Sequence, residues 1–300
     1  MDARVEIRPK DLCAADVVRK ALESFDGYGR CIPSQAVAPF LKWAGGKRWL
    51  MPIANALSEL NQSVYFEPFL GSGAMFFGFR PERAVLNDAN AELIETYQAL
   101  RDNPDSVLSA LKKHSAAHRE KDYYYKVRAS RPQKAHTRAA RFIYLNRTCW
   151  NGLYRVNLQG HFNVPKGTKD NVLMEVDNFD LISKTLLNAV LYSGDFESII
   201  DMAGSGDLVF ADPPYTVRHQ YNGFVKYNEK LFSWEDQERL AGALVRAKDR
   251  GAHILCTNAD HASIRELYGS EFDLVPVTRY SAISSVGTSR GKYAEIIITG

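Results

Sequence analysis

Five short apolar runs constrain this 300-residue chain more than any other feature: Val64-Tyr65-Phe66, Ala84 to Asn87, Ala189 to Tyr192, Asp207 to Ala211 and Ala252 to Thr257. Helical spacing fills much of the intervening chain, including Gly46 to Glu59, the stretch ending at Leu100, and Trp234 to Arg250. Strands that alternate with helices predict an open, mainly parallel sheet covered on both faces. The alternation breaks once, between Leu100 and Ala189. There, helices are expected from Pro104, behind the N-cap residue Asn103, and over Ala135 to Leu145. A hairpin is expected over Tyr154 to Val164, whose alternation surrounds a glycine turn. Two tail strands, Phe272 to Arg279 and Lys292 to Thr299, are joined by residues too few for a crossover, which predicts an antiparallel pair. The chain thus reads as a doubly wound α/β sheet with an insertion. Residues 1–37 form a polar extension with one amphipathic helix between Asp11 and Phe25; 38–100 and 189–300 form the sheet domain, and 101–188 the insertion.

Composition narrows the classes of function. No apolar stretch reaches the roughly 20 residues that span a bilayer, and the amino-terminal residues Asp2, Arg4, Glu6 and Arg8 lack the apolar core of a secretory signal. Cytoplasmic residence without a membrane partner is the expectation. Cys13, Cys31, Cys149 and Cys256 are too scattered for a zinc site or a disulfide framework, so reduced thiols and no metal are expected. His114 and His118 share a helical face without the intervening glutamate of a zinc protease, which favours surface placement.

The formal net charge is only +3, but basic residues crowd the stretch from Lys112 to Arg155, where only Glu120 and Asp122 oppose them. Tyr123, Tyr124, Tyr125, Phe142, Tyr144, Trp150 and Tyr154 lie in the same stretch. Cations with interleaved rings suit phosphate neutralisation and base stacking. A solvated basic surface over an aromatic core accounts for the same pattern equally well.

Asp212-Pro213-Pro214-Tyr215 follows the apolar run Leu208 to Ala211. An acid at the carboxyl end of a buried strand sits where open α/β sheets bind ligands. The two prolines fix φ and remove backbone donors, leaving a rigid array of acceptors, and the tyrosine adds a flat face. That combination suits an amino-heterocycle; a plain strand exit is the alternative from the tetrapeptide alone. Upstream, the loop Phe69 to Gly73 joins a strand to a helix, and Gly71 and Gly73 permit close backbone approach. Phe76 breaks the dinucleotide pattern, while Asp88 ends the next strand, where a carboxylate can accept from ribose hydroxyls. The stretch Lys42 to Arg48 resembles a P-loop but lacks its first glycine and its Ser or Thr, so a cofactor without phosphates fits better. Lys47 at a helix start can hold a carboxylate, and Trp43 can pack on an apolar or cationic group.

Together, Phe40 to Lys47, Phe66 to Gly73 and Asp212 to Tyr215 resemble the Dam-like DNA adenine-N6 methyltransferases, as do Tyr144 to Arg147, Asn151 to Arg155 and Phe162 to Pro165. The likeness covers about residues 38 to 300. It implies a Rossmann-like methyltransferase sheet, mixed with an antiparallel last strand, carrying a mainly helical target-recognition domain. It also implies methyl transfer from S-adenosyl-L-methionine to adenine N6 in double-stranded DNA, with GATC as a candidate site. Asp212, Pro213, Pro214 and Tyr215 would be catalytic; Trp43, Lys47, Glu67, Gly71, Gly73, Asp88, Asp195 and Asp212 would hold the cofactor. Lys42, Arg147, Asn151, Arg155, Asn157, Ser284, Ser285 and Arg290 are candidates for DNA contacts. Tyr221, Phe224 and Tyr227 are candidate walls for a flipped base, with core packing the alternative. A cognate restriction enzyme is a candidate partner, and association with the nucleoid would follow from DNA binding. His161 departs from the family pattern, in which an acid precedes Phe-Asn-Val-Pro. Competing readings are methylation of cytosine N4, an RNA base or a protein glutamine, and a DNA-binding module without catalysis.

Overall fold

A computed structural model describes residues 14–23, 37–43, 45–57, 62–157, 159–217, 232–280 and 292–300. Cys13, Cys31, Tyr221, Phe224, Tyr227, Ser284, Ser285 and Arg290 lie outside the described residues.

Seven strands form one sheet in the order β3-β2-β1-β4-β5-β7-β6. These are β1 (Tyr65–Glu67), β2 (Ala84–Asp88), β3 (Ala189–Ser193), β4 (Leu208–Ala211), β5 (His253–Ala259), β6 (Asp273–Tyr280) and β7 (Lys292–Thr299). The first five pair in parallel, and β7 inserts antiparallel between β5 and β6. This is the mixed, Rossmann-like sheet anticipated above. Strand order reverses between β1 and β4, so their carboxyl ends lie together at a topological switch point.

Period-two alternation sends neighbouring side chains to different cores. Tyr65, Leu86, Phe210, Leu255 and Ile297 join the core beneath α1 (Ala14–Glu23), α2 (Met51–Leu57), α3 (Ala74–Phe79) and α4 (Ala91–Asp102). Phe66, Val209, Ile254, Cys256 and Ile298 face the other core, with α9 (Phe196–Ile200), α10 (Trp234–Asp249) and α11 (Ala262–Tyr268). Helix α10 starts at a capping box: Ser233 and Asp236 exchange side-chain bonds with each other's backbone amides at 3.1 and 2.8 Å.

The chain leaves this alternation after α4. Helices α5 (Pro104–Ala117), α6 (Tyr123–Ala129) and α7 (Ala135–Thr148) follow, and α8 (Phe179–Leu186) leads back to β3. Helix α7 packs against both α4 and α5, and every residue from Ala139 to Thr148 is buried.

Three expectations need correction. Tyr154 to Val164 does not form a pair of strands: one antiparallel bridge, Val156 to Phe162, is all the pairing among the described residues. Residues 155–157 and 159–161 are exposed, so they have no apolar face to bury, and Asn157 closes the turn by accepting from the Gln159 and His161 amides. His118 is not on the surface but buried between Tyr144 Oη and Asp170, at 2.9 Å from each. His114 is part-buried, its ring stacked on Tyr144 with centroids 5.0 Å apart. Among the described residues, no His, Cys, Asp and Glu cluster could hold a metal, and no helix is long and apolar enough to cross a membrane.

Candidate active site

Strand β4 delivers Asp212 to the switch point, and two donors meet its Oδ1: Lys47 Nζ at 2.8 Å and Thr257 Oγ1 at 2.7 Å. Register explains the second. Ala211 pairs with Cys256, so the next residues, Asp212 and Thr257, emerge side by side. Lys47 is buried and also donates to the Gly45 carbonyl at 2.9 Å. Among the described residues no donor meets Oδ2 of Asp212.

Antiparallel β7 brings a second carboxylate. Ile297 pairs with Thr257, and Glu295, two residues away, shares its face. Glu295 is 2% exposed; its Oε2 accepts from Tyr215 Oη at 3.0 Å and lies 4.0 Å from Lys47 Nζ. Lys47 also stands 4.7 Å from the Tyr215 ring centroid. Tyr215 is therefore held at its hydroxyl by β7 and at its backbone by the Asp-Pro-Pro turn.

Burial raises the Asp212 carboxyl above its ordinary range, against the opposing pull of Lys47 and Thr257. Burial likewise raises Tyr215, reinforced by the charges of Asp212 and Glu295, so its hydroxyl is a neutral donor. Glu67, at the end of β1, accepts from Tyr65 Oη at 2.9 Å, and burial pushes it well up despite that bond. The charges of Asp212 and Asp88 push it in the same direction. Four carboxyl groups, Glu67, Asp88, Asp212 and Glu295, thus surround a region to which Lys47 brings one positive charge. Such a site favours a cationic guest.

The glycine loop is shaped by its neighbours. Gly71 has φ +49°, its amide donates to Asp88 Oδ2 at 2.9 Å, and its carbonyl accepts from Tyr97 Oη at 3.0 Å. A Cβ at Gly71 would lie 2.7 Å from Trp43 Cδ1, so the indole and the loop occupy one another's van der Waals limit. Trp43 stacks in turn on Tyr154 at 5.9 Å, coupling the loop to the insertion. The other Asp88 oxygen accepts from the Asn90 amide at 2.9 Å, so the carboxylate also organises its own turn; burial raises it as well. Asn87 donates to the carbonyls of Pro68 and Gly194 at 3.0 and 3.1 Å, tying the exits of β1 and β3 to β2. Asp195 caps α9 through the Glu197 amide and pairs with Arg239 at 2.8 Å, a more structural setting than the sequence suggested.

Of the DNA candidates, Lys42, Arg147, Asn151, Arg155 and Asn157 lie within the described residues. Asn146 accepts from the Lys42 amide at 2.8 Å and donates to the Lys42 carbonyl at 2.7 Å. Lys42 Nζ reaches the Arg147 carbonyl at 3.2 Å, and burial, ahead of nearby cations, lowers its pKa. Asn151 is exposed at φ +55° beside Trp150, which is 51% exposed, and exposed Arg155 donates to Asn163 at 2.9 Å. Arg147 is a correction. Its side chain is 0% exposed, paired with Asp177 at 2.6 Å and bonded to the carbonyls of Phe40 and Val172, so it clamps the insertion to the first segment and is closed to DNA. Asn157 is occupied in its turn.

Thr257 and Glu295 were missed in the sequence. Thr257 carried a strand-end signal, and Glu295 a stronger one: a single acid inside Ala294-Glu295-Ile296-Ile297-Ile298.

The profile of the D12 class N6 adenine-specific DNA methyltransferase family matches residues 43–283. The Type II methyltransferase M1.LlaDCHI of Lactococcus lactis subsp. cremoris is 37% identical over 270 residues, 87% of this chain and 94% of the relative. The Type II methyltransferase M.MjaIII of Methanocaldococcus jannaschii is 32% identical over 275 residues, 85% of this chain and 95% of the relative. The DNA adenine methylase of Escherichia coli (strain K12) is 32% identical over 263 residues, 86% of this chain and 93% of the relative.

Proposed function

Because the chain belongs to the D12 class N6 adenine-specific DNA methyltransferases, we propose that Asp212 and its turn are where the adenine amino group is held for methylation. The observation that carries this reading is the convergence of Lys47 and Thr257 on Oδ1, which leaves Oδ2 of a fixed carboxylate as an acceptor.

The adenine amino nitrogen is a weak nucleophile because its lone pair is delocalised into the ring. Asp212 Oδ2 and the Pro213 carbonyl accept its two hydrogens and draw the nitrogen toward tetrahedral geometry. Both bonds strengthen as positive charge grows on nitrogen, so they favour the transition state over the ground state. A base inside a duplex cannot reach this turn and must be flipped out, at a cost of a few kcal/mol. Stacking on the Tyr215 ring offsets part of that cost, and Glu295 holds the ring in place.

S-adenosyl-L-methionine suits the surrounding carboxylates and supplies, when bound, an electrophilic sulfonium methyl. Trp43, Lys47, Glu67, the Gly71 to Gly73 loop, Asp88, Asp195 and Asp212 would hold it. Asp88 fits the ribose hydroxyls, and the glycine loop admits close approach where a side chain would strike Trp43. Residues 101–188 are proposed as the target-recognition insertion, with residues 38–100 and 189–300 as the catalytic unit and duplex DNA as substrate. Lys42, Asn151 and Arg155 remain the candidates for contacting it, a reading that the exposure of Asn151 and Arg155 supports. GATC is the first sequence to test. The Type II names among the relatives favour a search for a cognate restriction enzyme, and cytoplasmic residence at the nucleoid fits a DNA substrate.

Long-read sequencing that detects modified bases, applied to plasmid grown with and without the protein, tests the reading. N6-methyladenine at one short motif supports it; modified cytosine instead would select another amine as the substrate.

A further inference from the structure

A cleft of about 410 Å³ opens in the insertion between α5, α6 and α7, and none of its lining residues belongs to the cluster around Asp212. Helix α5 contributes Ser106, Ser109 and Lys113, spaced to share one face. His136 and Arg141 come from α7 and Tyr123 from α6.

The lining contains no Asp or Glu. Glu120 is the carboxylate whose charge reaches Tyr123, and it stands outside the lining. Among the described residues, the side chains of Ser106, Ser109, Lys113 and His136 have no hydrogen-bond or ion-pair partner. Arg141 is 7% exposed; two of its nitrogens donate to the carbonyls of Val127 and Arg128 at 3.0 and 2.8 Å, which leaves its third for a guest. Burial, seconded by the Arg141 charge, holds the His114 imidazole down at about 4, as expected of a positive, poorly hydrated wall; the Glu92 charge reaches Arg141 from outside the lining. Unspent hydroxyl and cationic donors around a concave surface match the acceptor oxygens of an anion. The volume lies in the range of about 300–1,000 Å³ common for small-molecule sites, so it admits more than a bare oxyanion. The Tyr123 and His136 rings offer faces for a sugar or base.

We infer that the α5–α7 cleft binds the phosphate group of a nucleotide-sized anion, at a place separate from the methylation site. The same chemistry is offered by a free nucleotide and by a backbone phosphate of bound duplex, and one experiment separates them.

The full-length protein, labelled with ¹⁵N-histidine, is titrated with inorganic phosphate, with adenosine monophosphate and with duplex DNA, while the His114 and His136 imidazole signals are followed. Saturable shifts are expected, with the His114 midpoint rising from about 4 as negative charge arrives beside it. The double variant Ser109→Glu, Lys113→Glu changes two exposed positions and is expected to weaken the effective titrant by about tenfold or more. Response to phosphate and adenosine monophosphate identifies a free ligand, and response to duplex alone identifies the DNA backbone; either supports the inference. Signals unmoved by all three titrants, or equal response in the double variant, would overturn it. The readout does not involve methyl transfer, so its failure leaves the reading of Asp212 untouched.

Discussion

Thr257 donates its hydroxyl to Asp212 Oδ1 at 2.7 Å, from the strand beside the one that carries the acid. This bond and the one from Lys47 fix the carboxylate plane before any substrate arrives. A hydrogen bond to a charged group contributes about 1.5–3 kcal/mol, so Thr257→Val should lower kcat about ten- to hundredfold with little change in KM for DNA. Single-turnover transfer rates check this. An unchanged rate would remove Thr257 from the positioning of Asp212.

Glu295 acts on Tyr215 through an accepted hydrogen bond that glutamine can also accept. Glu295→Gln should therefore retain most activity, whereas Glu295→Ala should lose about tenfold or more by freeing the ring. Fluorescence of 2-aminopurine placed at the target position reports the flipped base directly. The alanine variant should show less of the flipped state, and equal flipping in both variants would argue against a role through Tyr215.

Lys47 is the positive charge that opposes the burial of Asp212. Activity needs the ionised acid, and burial already raises its pKa. Lys47→Met removes a downward pull, so the pKa rises further and the acidic limb of the pH–rate profile should move to higher pH. A limb that stays in place or moves down would contradict the coupling. The same variant leaves two carboxylates without their shared cation, so thermal melting should be read alongside rate.

Arg147, itself fully buried, pairs with the mostly buried Asp177, and breaking one partner of a buried pair costs about 3–5 kcal/mol. Arg147→Ala should lower Tm markedly while leaving the salt dependence of DNA binding in the surviving folded protein unchanged. Arg155→Ala should do the reverse, with little effect on Tm and a shallower salt slope.

These residues also mark how far the sequence could be read. Asp212 was legible because its position after a buried strand and before two prolines leaves few conformations open. The parallel part of the sheet was legible for the same kind of reason: its strand runs are short and apolar and alternate with helical spacing. Arg147 was misread because a cation on a helix usually marks the solvated face, and periodicity cannot reveal that α7 is covered all round from Ala139 to Thr148. His118 was misplaced by the same logic, its partner Asp170 lying 52 residues away. Glu295 stood out as a lone acid in an apolar run, but its place at the site required knowing that β7 runs antiparallel beside β5, a pairing that the run itself does not encode.

The most direct test of the central claim is Asp212→Ala assayed with S-adenosylmethionine carrying a labelled methyl group, alongside binding of the same duplex. Wild-type protein should place the label on adenine N6. The variant should bind DNA with similar affinity and transfer no detectable label. A variant that still methylates adenine, or a wild-type protein that leaves adenine unlabelled, would contradict the account.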